Sequence, residues 1–442
     1  MYWKSRRDSA GGEAKGMARD VKNIEWVEVS LDFNRKPRLI GHLAWKRSER
    51  RSYFEFAGDF LSNSLPLSPF KLAASPGAVA AGHAPFEGLH GLFNDSLPDE
   101  WGRKLLDRRL QRLGYDHQTL SPLDRLCYVG DRGMGALIYK PQGQLDALEE
   151  TTLDLDWLAD QADLVQQEAP EADIDRLQAN QGGSGGVRPK VVVGFNPETG
   201  LLVTDNGAGA DPAYIPHIVK FKADADPDEI GPEEYAYSLM ARAAGVIMPE
   251  TRLIRGHRGL GYFAAERFDR NLSGRHHVLT LSGLLDADHR VPSVTYGDLL
   301  KVTRLLTRDE RDVNQMFRRM AFNVLAHNRD DHAKNHAFRM DPDGSWHPTP
   351  AYDITYSSGP GGEHNLTIAG EGRSPGLGHL FDEAKASSIK RLNAEEAVEA
   401  VRAAIAQWPE FAAQAGLSDR RTAELDHVLN GRGAPHQASQ HG

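Results

Sequence analysis

Residues of the kinds that transfer protons and bind metal ions are concentrated between positions 327 and 336. Asp330 and Asn335 lie there five positions apart. This spacing lets one tight loop present a carboxylate to an attacking hydroxyl and an amide oxygen to a metal ion. The spacing therefore predicts phosphoryl transfer, with Asp330 as the catalytic base and Asn335 as a metal ligand.

A third oxygen ligand can come from Asp353. Residues 337–340 and the residues before Tyr352 have the pattern of two strands, and Asp-Pro-Asp-Gly at 341–344 is a turn-forming sequence between them. Such a hairpin would place Asp353 beside Asn335, and Mg²⁺ prefers oxygen ligands. A magnesium site is therefore predicted, although Asp, Asn and His can also simply cap and solvate a loop that ends a helix.

A glycine-rich stretch at 182–186 precedes the apolar run 191–195. Glycines allow backbone N–H groups to approach phosphate oxygens closely, and a strand directly after the loop differs from the strand, loop and helix order of a Walker A site. Gly185, Gly186 and Lys190 are accordingly predicted to bind the phosphates of ATP. The alternative is a glycine-rich surface turn.

Lys220 lies near the end of an apolar strand predicted at 216–221. A lysine in such a strand is seldom buried without a carboxylate or phosphate partner. Glu234, in a helix predicted at 232–244, is the candidate ion-pair partner by analogy with the strand lysine and helix glutamate of kinases. The alternative for Glu234 is an exposed position on a solvated helix face.

The motifs together resemble those of HipA-type serine/threonine kinases, the toxins of bacterial toxin-antitoxin pairs. Asn-Arg-Asp-Asp-His-Ala-Lys-Asn at 328–335 resembles their catalytic loop and Ala-Tyr-Asp at 351–353 their metal-binding aspartate. Further similar segments are the phosphate loop ending at Lys190, the interlobe Glu-Arg-Phe-Asp-Arg at 266–270, Leu-Pro-Asp-Glu-Trp-Gly at 97–102, and the glycine-rich 130–137. The resemblance covers roughly residues 28–408.

The resemblance implies an ATP- and Mg²⁺-dependent protein kinase with a two-lobed α+β fold. The N-lobe would be mixed α/β, with an extra β-rich N-terminal subdomain, and the C-lobe would be all-α. Nucleotide contacts are implied for Lys220, Lys334 and Asn335. They are also implied for the hinge residues Glu266, Arg267 and Phe268, whose backbone N–H and C=O groups would meet the edge of the adenine base. Many such kinases carry a regulatory serine seven residues before the lysine that ends the phosphate loop. In this chain Gly183 occupies the position seven residues before Lys190. Ser184, six residues before Lys190, is the predicted autophosphorylation site.

The resemblance also implies partners. These are a helix-turn-helix antitoxin of the HipB type, operator DNA bound through that antitoxin, and a protein substrate such as an aminoacyl-tRNA synthetase. A net charge of −10 argues against a broad basic surface for nucleic acid, although a local patch at 103–112 is left open. No membrane partner and a cytoplasmic location are expected, because the single Cys127 has an apolar context and no run has transmembrane length.

Several ranges and alternatives complete the interpretation. The predicted ranges are a disordered extension (1–21), the HipA-like N-terminal subdomain (22–145), the kinase N-lobe (146–265), the hinge (266–270), the helical C-lobe (271–431) and a disordered tail (432–442). Short runs that alternate apolar and polar residues between positions 24 and 60 predict antiparallel strands. Residues 145–180 are predicted to be helical and packed outside the core. The alternative functions are a small-molecule kinase, a non-catalytic binding module, and a metal-dependent phosphohydrolase with Asp330, Asp331, His332 and His336 as ligands.

Overall fold

The computed structural model describes residues 24–112, 114–116, 119–142, 152–181, 188–204, 211–257, 259, 261–271 and 274–430. The strands are β1 (Trp26–Leu31), β2 (Arg38–Lys46), β3 (Arg51–Phe56), β4 (Ala78–Ala80), β5 (Leu137–Lys140), β6 (Lys190–Phe195), β7 (Leu202–Thr204), β8 (Ile215–Lys220), β9 (Thr251–Ile254), β10 (Tyr262–Glu266), β11 (Arg270–Asn271), β12 (Gly274–Arg275), β13 (His277–Thr280), β14 (Ala337–Met340) and β15 (Trp346–Pro348). The helices are α1 (Gly58–Leu61), α2 (Gly91–Asn94), α3 (Glu100–Arg112), α4 (Pro122–Val129), α5 (Leu155–Gln166), α6 (Ile174–Ala179), α7 (Ile230–Ala243), α8 (Leu281–Leu285), α9 (Tyr296–Thr307), α10 (Glu310–Leu325), α11 (Leu377–Ala386), α12 (Arg391–Ala406), α13 (Trp408–Ala415) and α14 (Asp419–Leu429).

The N-terminal part is an antiparallel sheet with the strand order β4-β3-β2-β1-β5. Val27, Val29 and Leu31 of β1 are buried and alternate with more exposed residues, as expected when one face of a sheet covers a core. The antiparallel strands predicted before position 60 are therefore confirmed. Leu137–Lys140 joins the sheet from far along the chain, beside β1.

A second antiparallel sheet has the order β7-β6-β8-β10-β9. Every residue of β6 is buried, so both faces of this sheet need apolar cover. Helices α5 and α6 cover one of these faces through Leu158, Val165 and Leu177, which share a core with Val193. The prediction that residues 145–180 pack outside the core is wrong for the part described, because the apolar faces of these helices close this second core.

Helix α3 joins the N-terminal part to the second sheet. Its Trp101 and Leu105 belong to the second core. Its basic side chains Lys104, Arg108 and Arg112 donate hydrogen bonds to backbone carbonyls between positions 165 and 172, at and beyond the end of α5. Cations at a helix C-terminus satisfy its free carbonyls. The basic patch left open for nucleic acid is thus largely used inside the protein.

The C-terminal part is mainly helical. Helix α10 packs on α9 and α12, and α7, next in the chain after β8, packs on α12 and α13. Tyr237 and Met240 of α7 therefore lie in the same large core as Phe317 and Trp408. The observed fold is α+β, which confirms the predicted fold class.

A three-stranded sheet, β13-β14-β15, brings the chemical residues to the surface of the helical part. Strands β14 and β15 pair through the predicted turn, in which Asp341 N–H donates to Ser345 O at 3.0 Å. Gly344 has a φ of +88°, a conformation that glycine adopts without strain. In the described ranges, no helix combines the length and apolar composition needed to cross a bilayer.

Candidate active site

The ammonium group of Lys220 joins three elements at the end of β8, the middle strand of the second sheet. Lys220 is the last residue of β8, and its Nζ contacts both Glu234 Oε1 on α7 and Asp353 Oδ1 beyond β15. The predicted ion pair between Lys220 and Glu234 is confirmed. The contact with Asp353 was not predicted, and it places the three charged groups together.

These charges keep the carboxylate of Asp353 ionised. Burial acts to raise the pKa of Asp353, but the ammonium groups of Lys220 and Lys190 outweigh burial and hold this pKa at about 2. For Lys220, burial acts to lower the pKa, while Asp353 and Glu234 raise it above the ordinary value. At neutral pH the site therefore holds the charged Lys220 ammonium against the charged carboxylate of Asp353.

Asp353 is held beside the loop 327–336 by its neighbours. The Tyr352 hydroxyl donates to Lys334 O at 2.5 Å, and Asn328 Nδ2 donates to Asp353 O at 3.3 Å. Asp353 has a φ of +51°, a left-handed conformation that costs energy for any residue with a Cβ and is concentrated at functional sites. The loop and the segment after β15 are thus tied together at the two positions predicted to carry chemistry.

Asp330 and Asn335 take different positions within the loop. Asn335 is buried, and its Nδ2 donates to Asp330 O at 2.7 Å. The Asp330 side chain is 55% exposed, with His332 Nε2 at 3.8 Å from its Oδ1. A short 3₁₀ turn, Ala333–Asn335, gives the loop its tight shape. Asp330 is therefore accessible to a substrate, while Asn335 is fixed.

The predicted magnesium ligands have the right chemistry for that ion. Asp353 offers an ionised carboxylate, and the hydrogen bond made by Asn335 Nδ2 leaves its Oδ1 as an acceptor, so both donors are oxygens. The rival transition-metal set is not assembled: no group of three or more His, Cys, Asp or Glu side chains in the described part of the chain has metal-site geometry.

Asp331, a proposed ligand in that rival set, is instead a buried structural residue. Its carboxylate accepts hydrogen bonds from Tyr296 Oη, His364 Nδ1 and Asn365 N, each at 2.8 Å. These bonds tie the loop to α9 and to the segment after Asp353. The sequence showed two adjacent aspartates, and only packing distinguishes the exposed one from the buried one.

Comparison with known proteins identifies the family. The model of the HipA-like C-terminal domain matches residues 182–408, and that of the HipA N-terminal domain matches residues 31–140. The chain belongs to the HipA family. Its Lys220, Asp330, Asn335 and Asp353 all lie in the region matched by the HipA-like C-terminal domain.

Solved structures agree with this at the level of the fold. The HipA toxin-antitoxin system of Shewanella oneidensis MR-1, a complex of HipA, HipB and operator DNA, contains a chain that is 19% identical, with 92% of this chain and 96% of that chain covered and a TM-score of 0.66. The Helicobacter pylori proinflammatory kinase CtkA is 12% identical over 49% of this chain and 86% of its own, and its TM-score of 0.36 is too low to support an argument. No curated protein matches.

The hinge predicted at 266–270 from the HipA resemblance differs from the expectation, because two of its backbone N–H groups are already hydrogen-bonded within the protein. The N–H of Glu266 donates to Glu250 O at 2.8 Å and that of Arg267 to Pro216 O at 2.9 Å, so both are already used inside the sheet. The buried Arg267 guanidinium pairs with Asp269. These donors stabilise the junction itself, and an adenine base would need other atoms of the segment.

Phe268 lies between this junction and the site. Its ring stacks on that of Tyr352, with centroids 5.6 Å apart and an interplanar angle of 30°. Because Tyr352 is followed directly by Asp353, this stacking links the junction to the predicted metal ligand. Nucleotide contact by Phe268 and by Lys334 stays a prediction.

The phosphate loop of the HipA-like C-terminal domain is described only at its flanks. Ser184, Gly185 and Gly186 lie outside the described residues, so their roles in autophosphorylation and phosphate binding stay predictions. Arg188 pairs with Asp226 at 3.0 Å and lies 3.7 Å from Glu234 Oε2. Lys190 is buried, and its Nζ lies 3.4 Å from Asp99 Oδ2, a partner that the sequence did not indicate.

Proposed function

We propose that this protein is an ATP- and Mg²⁺-dependent serine/threonine protein kinase that acts as a HipA-type toxin. The observation that carries the proposal is the position of Lys220 between Glu234 on a helix and Asp353 beside the catalytic loop. Kinases need both the lysine–glutamate pair and the metal-binding aspartate in place before they transfer a phosphoryl group.

Each group has a role that its surroundings support. Asp330, exposed at the rim, would accept the proton of the substrate hydroxyl. Lys220 would bind nucleotide phosphates, and Asn335 and Asp353 would hold magnesium. When bound, the ion would neutralise charge on the phosphates. Glu234 would keep Lys220 oriented, since it holds the lysine from the side of α7.

The proposal is tested by the fate of labelled phosphate. Incubation of the full-length protein with ATP labelled at the γ-phosphate, magnesium and a cell lysate should transfer label to the protein fraction, at serine or threonine. Phosphopeptide analysis would then identify the substrate, which we propose is a translation component such as an aminoacyl-tRNA synthetase. Label found only in small molecules would favour the small-molecule kinase, and label released only as inorganic phosphate would favour a hydrolase.

The proposed partners follow from the family and the solved complex. The related HipA chain was solved with HipB and operator DNA. We infer that this chain likewise pairs with a helix-turn-helix antitoxin and meets DNA through it. The net charge of −10 supports an indirect contact, because a phosphate backbone is bound by cationic surfaces.

Replacing Lys220 should separate phosphate binding from base binding. In Lys220→Met the apolar stem is kept and the ammonium is lost, so ATP affinity should fall about 10- to 100-fold, the effect of losing about 1.4–2.8 kcal/mol of binding energy. Adenosine, which carries no phosphate, should bind as it does to the wild type. Calorimetry with both ligands measures the two affinities.

The matched control is Lys222→Met. Lys222 is two residues further along, its side chain is 44% exposed, and it pairs with Asp228 at the surface. Its loss should change neither affinity. Equal weakening of ATP and adenosine in Lys220→Met would show that Lys220 only maintains the fold.

A further inference from the structure

The start of helix α3, the segment Asp99–Gly102, has no role in the function described so far. It belongs to the N-terminal part of the chain, yet three of its residues contact residues that flank the phosphate loop. These residues are Asp99, Trp101 and Gly102, and the flanking residues are Gln181 and Lys190.

Asp99 uses its two carboxylate oxygens for two purposes. Its Oδ1 accepts a hydrogen bond from Gly102 N at 2.9 Å, which caps α3. Its Oδ2 lies 3.4 Å from Lys190 Nζ, and the two side chains are only 6% and 3% exposed. Burial raises the pKa of Asp99, and Lys190 opposes that rise. The buried carboxylate is therefore placed to hold the Lys190 side chain in one orientation.

Trp101 and Gly102 fix the backbone around the same lysine. Trp101 Nε1 donates to Lys190 O at 3.2 Å. A Cβ on Gly102 would lie 2.6 Å from Gln181 Nε2, so the Gln181 amide packs closely on this glycine and would have to shift for a larger residue. Gln181 precedes the loop and Lys190 follows it, so both flanks of the loop rest on one segment of the N-terminal part.

Lys190 also faces the chemical residues. It is the register partner of Lys220 in the antiparallel pair of β6 and β8. Directly opposed residues of antiparallel strands point to the same face of a sheet. The charge of Lys190 accordingly contributes to the low pKa of Asp353. Lys190 therefore lies between the carboxylate of Asp99 on one side and the proposed nucleotide site on the other.

We propose that Asp99 is a positioning residue of the nucleotide site, through which the N-terminal part keeps the Lys190 ammonium oriented toward ATP phosphates. This inference rests on the proposed kinase function. It explains why an aspartate, a tryptophan and a glycine stand together at the start of α3: they contact the side chain and the backbone of one lysine and the residue that precedes the loop.

The test is calorimetry on the full chain with Mg²⁺, using ATP and adenosine as the two probes. Asp99→Asn keeps a good helix cap and removes the charge. ATP affinity should fall about tenfold or more, the usual size when a group that orients a binding residue is lost, and adenosine affinity should not change. The matched control is Asp124→Asn, because Asp124 is equally buried, caps α4 in the same N-terminal part, and should leave both affinities unchanged.

A double variant decides whether Asp99 acts through Lys190. In a Lys190→Met background, Asp99→Asn should cause no further loss of ATP affinity, since non-additivity is the mark of residues that act together. Trp101→Phe, which removes the hydrogen bond to Lys190 O and keeps a smaller aromatic ring in the core, should also weaken ATP binding selectively and tests the inference if Asp99→Asn does not fold.

The outcomes separate this inference from the proposed function. If the wild type binds ATP no better than adenosine, the proposed function fails and this inference fails with it. If the wild type prefers ATP but Asp99→Asn and Trp101→Phe bind it equally well, or if the losses at Asp99 and Lys190 simply add, only the positioning role is overturned.

Discussion

Asp330→Ala is expected to reduce phosphoryl transfer by a factor of about 100 to 10,000 while the protein stays folded. The expected loss is large because a positioned base removes the proton of the attacking hydroxyl. The fold should persist because the carboxylate is 55% exposed and its Oδ1 lies 3.8 Å from His332 Nε2, too far for a hydrogen bond. Label transfer from ATP measures the activity, and thermal melting measures the stability.

The control for this substitution is Asp382→Ala. Asp382 is an exposed aspartate on α11 in the helical part, away from the loop, and its loss should change neither activity nor melting temperature. Asp353→Ala should abolish transfer as well, through loss of the magnesium ligand. Near-normal transfer by Asp330→Ala would mean that another group accepts the proton.

Asp331→Ala is expected to destabilise the protein by about 3–5 kcal/mol, the size of loss seen when one partner of a buried charged network is removed. Three donors, Tyr296 Oη, His364 and Asn365 N–H, would lose their acceptor within a buried region. Each unsatisfied buried group costs about 1–3 kcal/mol. Urea denaturation should show the midpoint falling well below that of the wild type.

Asp330→Ala is the matched control here, since the two aspartates are adjacent and differ only in burial. The two variants should show opposite patterns. Asp330→Ala should lose activity and keep its stability, whereas Asp331→Ala should lose stability. The reverse pattern, with Asp331→Ala stable but inactive and Asp330→Ala active, would falsify the present register of the catalytic loop.

Much of the fold could be predicted from the sequence, because local patterns decide local structure. Alternation at the start of the chain predicted the first antiparallel strands, and Asp-Pro-Asp-Gly at 341–344 predicted the turn between β14 and β15. A lysine in an apolar strand needs an anion, which predicted a partner for Lys220, and analogy with the strand lysine and helix glutamate of kinases indicated Glu234.

The limits of that reasoning lie where contacts join distant parts of the chain. Residues 145–180 were predicted to lie outside the core, because their acidic composition hides the apolar faces of α5 and α6. The hinge was assigned free N–H groups, whereas those of Glu266 and Arg267 bond to Glu250 and Pro216. Strand register and sheet neighbours decide such bonds, and neither can be read from one segment.

The sequence by itself determined the family, the chemical residue types and their order: a glycine-rich loop, Lys220, and the Asp330, Asn335 and Asp353 set. Only the tertiary structure decided which charges face one another. Lys190 and Asp99 are 91 positions apart and meet at 3.4 Å, and Asp331 and His364 are 33 apart and meet at 2.8 Å. These pairs are important for stability because a charged group that is buried away from water needs a partner. Only the folded chain brings that partner into contact.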